Sequence, residues 1–180
     1  MEYLYFAGDD RFGALGVSTS ASEYAPRALG PLPRLDDAQQ LSEVAQRVEA
    51  VEPLGVLEAK MVAGGGSPMG GAKPKALISI AGEQWVIKFF YNEPIDAPLV
   101  EHAAMTLAQK AGITVAQTQV IQLAGFHALA IKRFDRHQGQ RIHCLSAGTA
   151  LRAATPLGDE PQMSYPALAR LLRRAGVKHN

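Results

Sequence analysis

The lysines and glycines between Met61 and Phe90, MVAGGGSPMGGAKPKALISIAGEQWVIKFF, are the residues whose types and spacing could do chemistry. Gly64, Gly65, Gly66, Gly70 and Gly71 open backbone conformations closed to other residues, so successive N–H groups there can line an anionic pocket. Lys73 and Lys75 leave this loop, and Lys88 follows within a second apolar run. A hairpin turning at Ala81-Gly82-Glu83 would fold Lys88 back over the glycines. Main-chain amides and ammonium groups gathered in this way hold phosphate. The spacing is not that of a P-loop, which needs Gly, four residues and then Gly-Lys-Ser/Thr. Counting from Gly66 reaches Gly71, but Ala72 comes next and Lys73 is followed by Pro74. A plain surface connection is the other reading of such a Gly/Ser/Pro run.

The elements that must position these residues can be read from periodicity. Tyr3–Ala7 and Ala14–Val17 have the composition of short strands around Gly8-Asp9-Asp10, and a Pro/Gly-rich connection runs on through Pro33. With Asp36 or Asp37 as N-cap, Leu41, Val44, Ala45, Val48 and Val51 recur at three and four, which predicts an amphipathic helix ending before Pro53. Ala76–Ile80, Trp85–Phe90, Val115–Leu123 and His127–Ile131 have strand composition. Between the second and third, Leu99, Val100, Ala103, Ala104, Leu107 and Ala108 mark a helix closed by Ala111-Gly112. Ser146–Ala154 and Tyr165–Ala175 read as helices joined by a polar segment. The order is glycine loop, strand, strand carrying Lys88, helix carrying Glu101, then two strands ending at Lys132-Arg133-Phe134-Asp135-Arg136. That is the order of a protein-kinase small lobe.

The 180 residues, 47% hydrophobic and 19% charged, suit an ordinary globular domain with or without a small appendage. No apolar run is long enough to span a membrane and the start lacks signal-peptide character, so the expected location is the cytoplasm. The single cysteine, Cys144, excludes an internal disulfide and argues against structural zinc; a small, buried or half-buried apolar role is expected of it. Residues 1–60 carry 5 Lys/Arg against 10 Asp/Glu, and residues 61–180 carry 13 against 7. The basic half therefore holds the candidate site, as suits an anionic ligand. Aromatic and basic residues do not interleave in any RNA-binding pattern. His102, His127, His137 and His143 show no metal-ligand spacing.

Several words of the sequence together resemble the HipA family, the kinase toxins of bacterial toxin–antitoxin pairs. They are Phe6–Leu15 (FAGDDRFGAL), Ser67–Ala76 (SPMGGAKPKA), Trp85–Phe89 (WVIKF), Glu101–Ala104 with Ala111–Ile113, Lys132–Arg136 (KRFDR) and Arg141–His143. The resemblance implies an α+β fold: a protein-kinase-like small lobe with a mostly antiparallel sheet and flanking helices, plus the first helices of the large lobe. It divides the chain into an N-terminal region over 1–60, a nucleotide-binding lobe over 61–136 and the start of a helical lobe over 137–180. Family chains are longer at both ends, so the expectation is a segment of a kinase. It would lack the far N-terminal subdomain, the catalytic-loop Asp and Asn, and the metal-binding Asp, and would by itself be inactive.

The resemblance also implies roles. Lys88 would reach the nucleotide phosphates, Glu101 would hold Lys88, and Gly66, Ser67, Gly70, Gly71, Ala72 and Lys73 would form the phosphate loop. Phe134 and the main chain of Ile131–Arg133, Lys132 included, would flank the adenine. Ser67 would be a regulatory autophosphorylation site. A phosphate there adds about −1.5 to −2 charge beside Lys73 and Lys75. ATP and Mg2+ are the implied cofactors, a small DNA-binding antitoxin of the HipB type the implied partner, and an aminoacyl-tRNA synthetase an implied protein substrate. Two other classes remain beside this one. One is a non-catalytic module docking to a separately encoded partner, and the other a nucleic-acid-associated regulator suggested by the basic half.

Overall fold

The computed structural model describes residue 5 and residues 8–27, 30–65 and 73–176. The chain divides into two units, the first running to Ile142 and the second from His143. In the first, β1 (Lys75–Ile80) and β2 (Glu83–Phe89) form a hairpin. Its turn has Ala81 at φ 51° and Gly82 at φ 80°, the pair of left-handed residues that a two-residue type I′ turn requires. That turn fixes Ile80 opposite Glu83, and counting back along both strands places Lys75 opposite Lys88. β3 (Thr118–Leu123) and β4 (Phe126–Lys132) make a second hairpin, and β4 lies against β2. The result is an antiparallel sheet of order β1-β2-β4-β3.

Side chains alternate between the two faces of this sheet. One face gathers Ala76, Ile78, Trp85, Ile87, Phe89, Ile121, Leu123, Ala128 and Ala130 into the main core. Helix α1 (Ala38–Glu49) closes it with Ala38 and Leu41. Helix α2 (Val56–Gly65) packs beside α1, with Met61 against the same core. The other face carries Leu77 and Val86, covered by Leu32, and further along it Lys75 and Lys88. The linker that brings Leu32 there is fixed by Ser79 N–H donating to Pro33 O at 2.7 Å. Because β1 and β2 are covered on both faces, KALISI and EQWVIKF read as near-continuous apolar runs.

Helix α3 (Ala97–Lys110) packs on β3 and β4. Asp96 caps its start by accepting from Leu99 N–H, and Gly112 at φ 82° ends it while Ile113 N–H returns to Ala108 O. A short hairpin, β5 (Arg136–His137) and β6 (Gln140–Arg141), completes the unit. The second unit contains α4 (Ala147–Ala153), capped by Ser146, and α5 (Tyr165–Arg174), capped by Ser164, which pack together.

Four sequence expectations change. Ala14–Val17 is irregular rather than a strand, because its neighbour Gly13 bonds to distant side chains instead of to a ladder. Of Tyr3–Ala7, only Tyr5 lies within the described residues. Gly64 and Gly65 end helix α2 and are not loop, while Val51 stands past the end of α1 at φ 57° and is exposed. On α3, Leu99, Val100 and Leu107 are exposed, and the half-buried residues include Glu101, His102 and Thr106. The helix meets the sheet through polar partners such as His102 Nδ1 and Thr118 Oγ1, 2.7 Å apart.

Candidate functional site

The hairpin register and helix α3 together build a charged cluster on the sheet face opposite the main core. Lys88 Nζ donates to Glu101 Oε1 at 2.5 Å, and both side chains are partly buried. Glu101 lies in the second turn of α3, so the Asp96 cap and the packing of the helix on β3 and β4 set where its carboxylate falls. Directly across the strand pair stands Lys75, whose Nζ donates to Lys73 O at 2.6 Å. Burial pushes the Lys75 ammonium below its ordinary pKa, and the charge of Lys88 lowers it further. Like charges directly opposed on a sheet are destabilising. An anion lying between the two ammonium groups would relieve this repulsion.

Of the expected phosphate loop, Gly66, Ser67, Gly70, Gly71 and Ala72 lie outside the described residues. Lys73 is described: its amine pairs with Glu93 and sits 5.7 Å from the centre of the Phe90 ring. Lys132 stands opposite Trp85, so alternation puts its side chain on the core-side face, away from Lys88, where it pairs with Glu83 at 2.5 Å. Its main chain remains at the end of β4, with N–H donating to Gln117 O. Phe134 is 64% exposed just beyond that strand end. Lys75 belongs with Lys88 and was legible too: a two-residue turn at Ala81-Gly82 fixes the sum of paired residue numbers.

A second charged cluster surrounds Phe134. Arg133 and Asp135, on either side of it, are fully buried. Arg133 Nε and Nη2 grip both oxygens of Asp135 at 2.9 and 2.7 Å, Arg136 adds a contact at 2.8 Å, and Gly13 N–H donates to the same carboxylate at 2.7 Å. Burial pushes the Asp135 carboxyl up, but these hydrogen bonds and the two guanidinium charges outweigh it and hold it below the ordinary carboxylate range. Asp9 shows the same balance, with Arg141 and Tyr24 as its partners. Phe12 stacks on Phe134 with ring centres 6.2 Å apart. Sequence reading placed the Arg-Phe-Asp-Arg word at the end of the nucleotide-binding lobe and did not foresee that it fastens the N-terminal loop. Contacts spanning more than 120 residues leave no periodic signal.

The histidines have structural partners or are exposed: His102 meets Thr118, His127 Nδ1 lies 2.5 Å from Asp96, and His137 and His143 are exposed. Cys144 is half-buried and free. Among the described residues, no helix is long and apolar enough to cross a membrane.

No curated protein and no solved structure matches the chain. The family model of the HipA-like C-terminal domain matches residues 67–180, a span that takes in the whole sheet, the Lys88–Glu101 pair and both helices of the second unit. With more than half of its length matched in this way, the chain belongs to the HipA family.

Proposed function

We propose that the four-stranded lobe binds the phosphates of ATP, as part of a HipA-like Ser/Thr protein kinase. The observation that carries this reading is the Lys88–Glu101 pair, with Lys75 directly across the strand. Lysine is a compact charge on a flexible stem, suited to a phosphate oxygen, and a helix-borne glutamate fixes where its amine waits. A partly buried cluster with a depressed lysine pKa is the kind of site where function gathers. The triphosphate neutralises the Lys75–Lys88 repulsion, and the base lies toward the end of β4, against Phe134 and the main chain of Ile131–Arg133. Among the described residues no group of three or more His, Cys, Asp or Glu side chains could hold a metal ion.

In the complete kinase the γ-phosphate goes to a Ser or Thr hydroxyl of a protein substrate, which the family resemblance suggests is a translation component such as an aminoacyl-tRNA synthetase. A HipB-type antitoxin is the corresponding partner, and Ser67 the regulatory phosphorylation site. The test is calorimetric titration of ATP against wild type and Lys88→Ala. Losing a hydrogen bond to a charged group costs about 1.5–3 kcal/mol, so the variant should bind about 10- to 100-fold more weakly. Equal affinities would remove Lys88 from the site.

A further inference from the structure

Phe134 is an exposed ring between two buried charged residues, and the protein spends three arginines holding what lies behind it. Arg133 donates to the carbonyls of Asp10 and Arg11, both at 2.9 Å. Arg136 donates to Arg11 O and Gly13 O, and Arg141 to Asp9 O and Gly13 O. Gly13 N–H is bound to Asp135. The main chain is thus fastened on both sides of Phe12 and at no point through the Phe12 ring. The ring lies nearly parallel to Phe134, at an interplanar angle of 22°, with the Arg133 guanidinium 5.5 Å from its centre. Phe134 keeps 64% of its surface open to solvent beside this contact.

We infer that Phe12 is a positioning residue for the nucleotide base, holding Phe134 as a fixed aromatic shelf beside the end of β4. The inference rests on the nucleotide reading above and extends the site to a loop outside the span that the family model matches. An unsupported phenylalanine at an exposed strand end samples several rotamers, and a base stacking on it must first pay to order it. Backing by Phe12 removes that cost beforehand. Lys88 acts on the phosphates and Phe12 on the base, so the two contributions separate by ligand.

The test compares ATP with inorganic tripolyphosphate, which carries phosphates and no base, by calorimetric titration against wild type, Phe12→Leu, Phe12→Tyr and Lys88→Ala. Phe12→Leu should weaken ATP by about tenfold and tripolyphosphate by less than about twofold, in line with the worth of an aromatic pair. Phe12→Tyr should restore ATP affinity. Lys88→Ala should weaken both ligands. If Phe12→Leu changes the two ligands equally, or changes neither, while Lys88→Ala still weakens both, the inference falls and the phosphate reading stands. Lys88→Ala without effect on either ligand would end both. Should Phe12→Leu fail to fold, shown by loss of the Trp85 fluorescence transition in urea, Phe134→Leu takes its place with the same split expected, and its absence overturns the inference.

Discussion

Replacing Asp135 with alanine should be among the most damaging single changes available to this lobe. Its carboxylate is fully buried and accepts from Arg133, Arg136 and Gly13 N–H, while the Arg133 side chain is itself inaccessible to solvent. Removing the anion leaves a buried guanidinium without its counter-charge and a main-chain donor without its acceptor, for which about 3–5 kcal/mol is the usual cost. At about 2–4 °C per kcal/mol for a chain of this size, Tm should fall by about 6–20 °C. Arg133→Met alone should cost a comparable amount, because Asp135 then keeps only Arg136 and Gly13. The double change Asp135→Ala/Arg133→Met should cost far less than the sum, since an apolar pair in place of a buried ion pair is often nearly neutral. The assay is urea unfolding followed by the fluorescence of Trp85, the single tryptophan, which is buried in the core of the same unit. Single changes that cost under about 1 kcal/mol, or that simply add in the double variant, would refute the claim that this network fastens the N-terminal loop.

The same network sets the acid limb of stability. Asp135 and Asp9 both titrate below their ordinary value in the folded state, so the unfolded chain binds more protons through that window and stability rises with pH across it. Their contribution is fully present above the unfolded pKa of about 3.9 and is lost as pH falls through the folded values; Asp9→Asn should flatten that limb in urea unfolding measured between pH 2 and 5, and an unchanged slope would contradict it. At the alkaline end, burial raises Tyr91 to about 12 from 10.0, despite its hydrogen bond with Ser42. Stability should therefore decline from about pH 10 upward, and Tyr91→Phe should remove part of that decline. Lys88→Met should raise the Lys75 pKa, because it deletes the charge that helps to depress it; side-chain NMR titration reads this directly, and an unmoved Lys75 would mean the two amines are not coupled.

Much of the sheet was legible because its signals are local. The Ala81-Gly82 turn, the alternating strands around it and the Gly112 end of α3 each depend on a few neighbouring residues. The meeting of Lys88 with Glu101 came into view through the order of elements that the family shares. Lys132 shows what alternation could have added: its place opposite Trp85 puts its amine on the core-side face. The stripe on α3 predicted the helix but not the side it buries, since His102 and Glu101 turn toward polar partners on the sheet. The fastening of Asp9–Gly13 onto Arg133, Asp135, Arg136 and Arg141 was not legible. Its contacts join the two ends of the first unit, and side chains commonly read as exposed are buried only because they satisfy one another.

The central claim is that a triphosphate lies between Lys75 and Lys88, and the most direct measurement is NMR of the two lysine side-chain amines during titration with ATP. Both resonances should move together with a single affinity, and the Lys75 pKa should return toward its ordinary value as the phosphate offsets its charged neighbour. Saturation with ATP that shifts other resonances while both lysines stay still would place the nucleotide elsewhere and contradict the account.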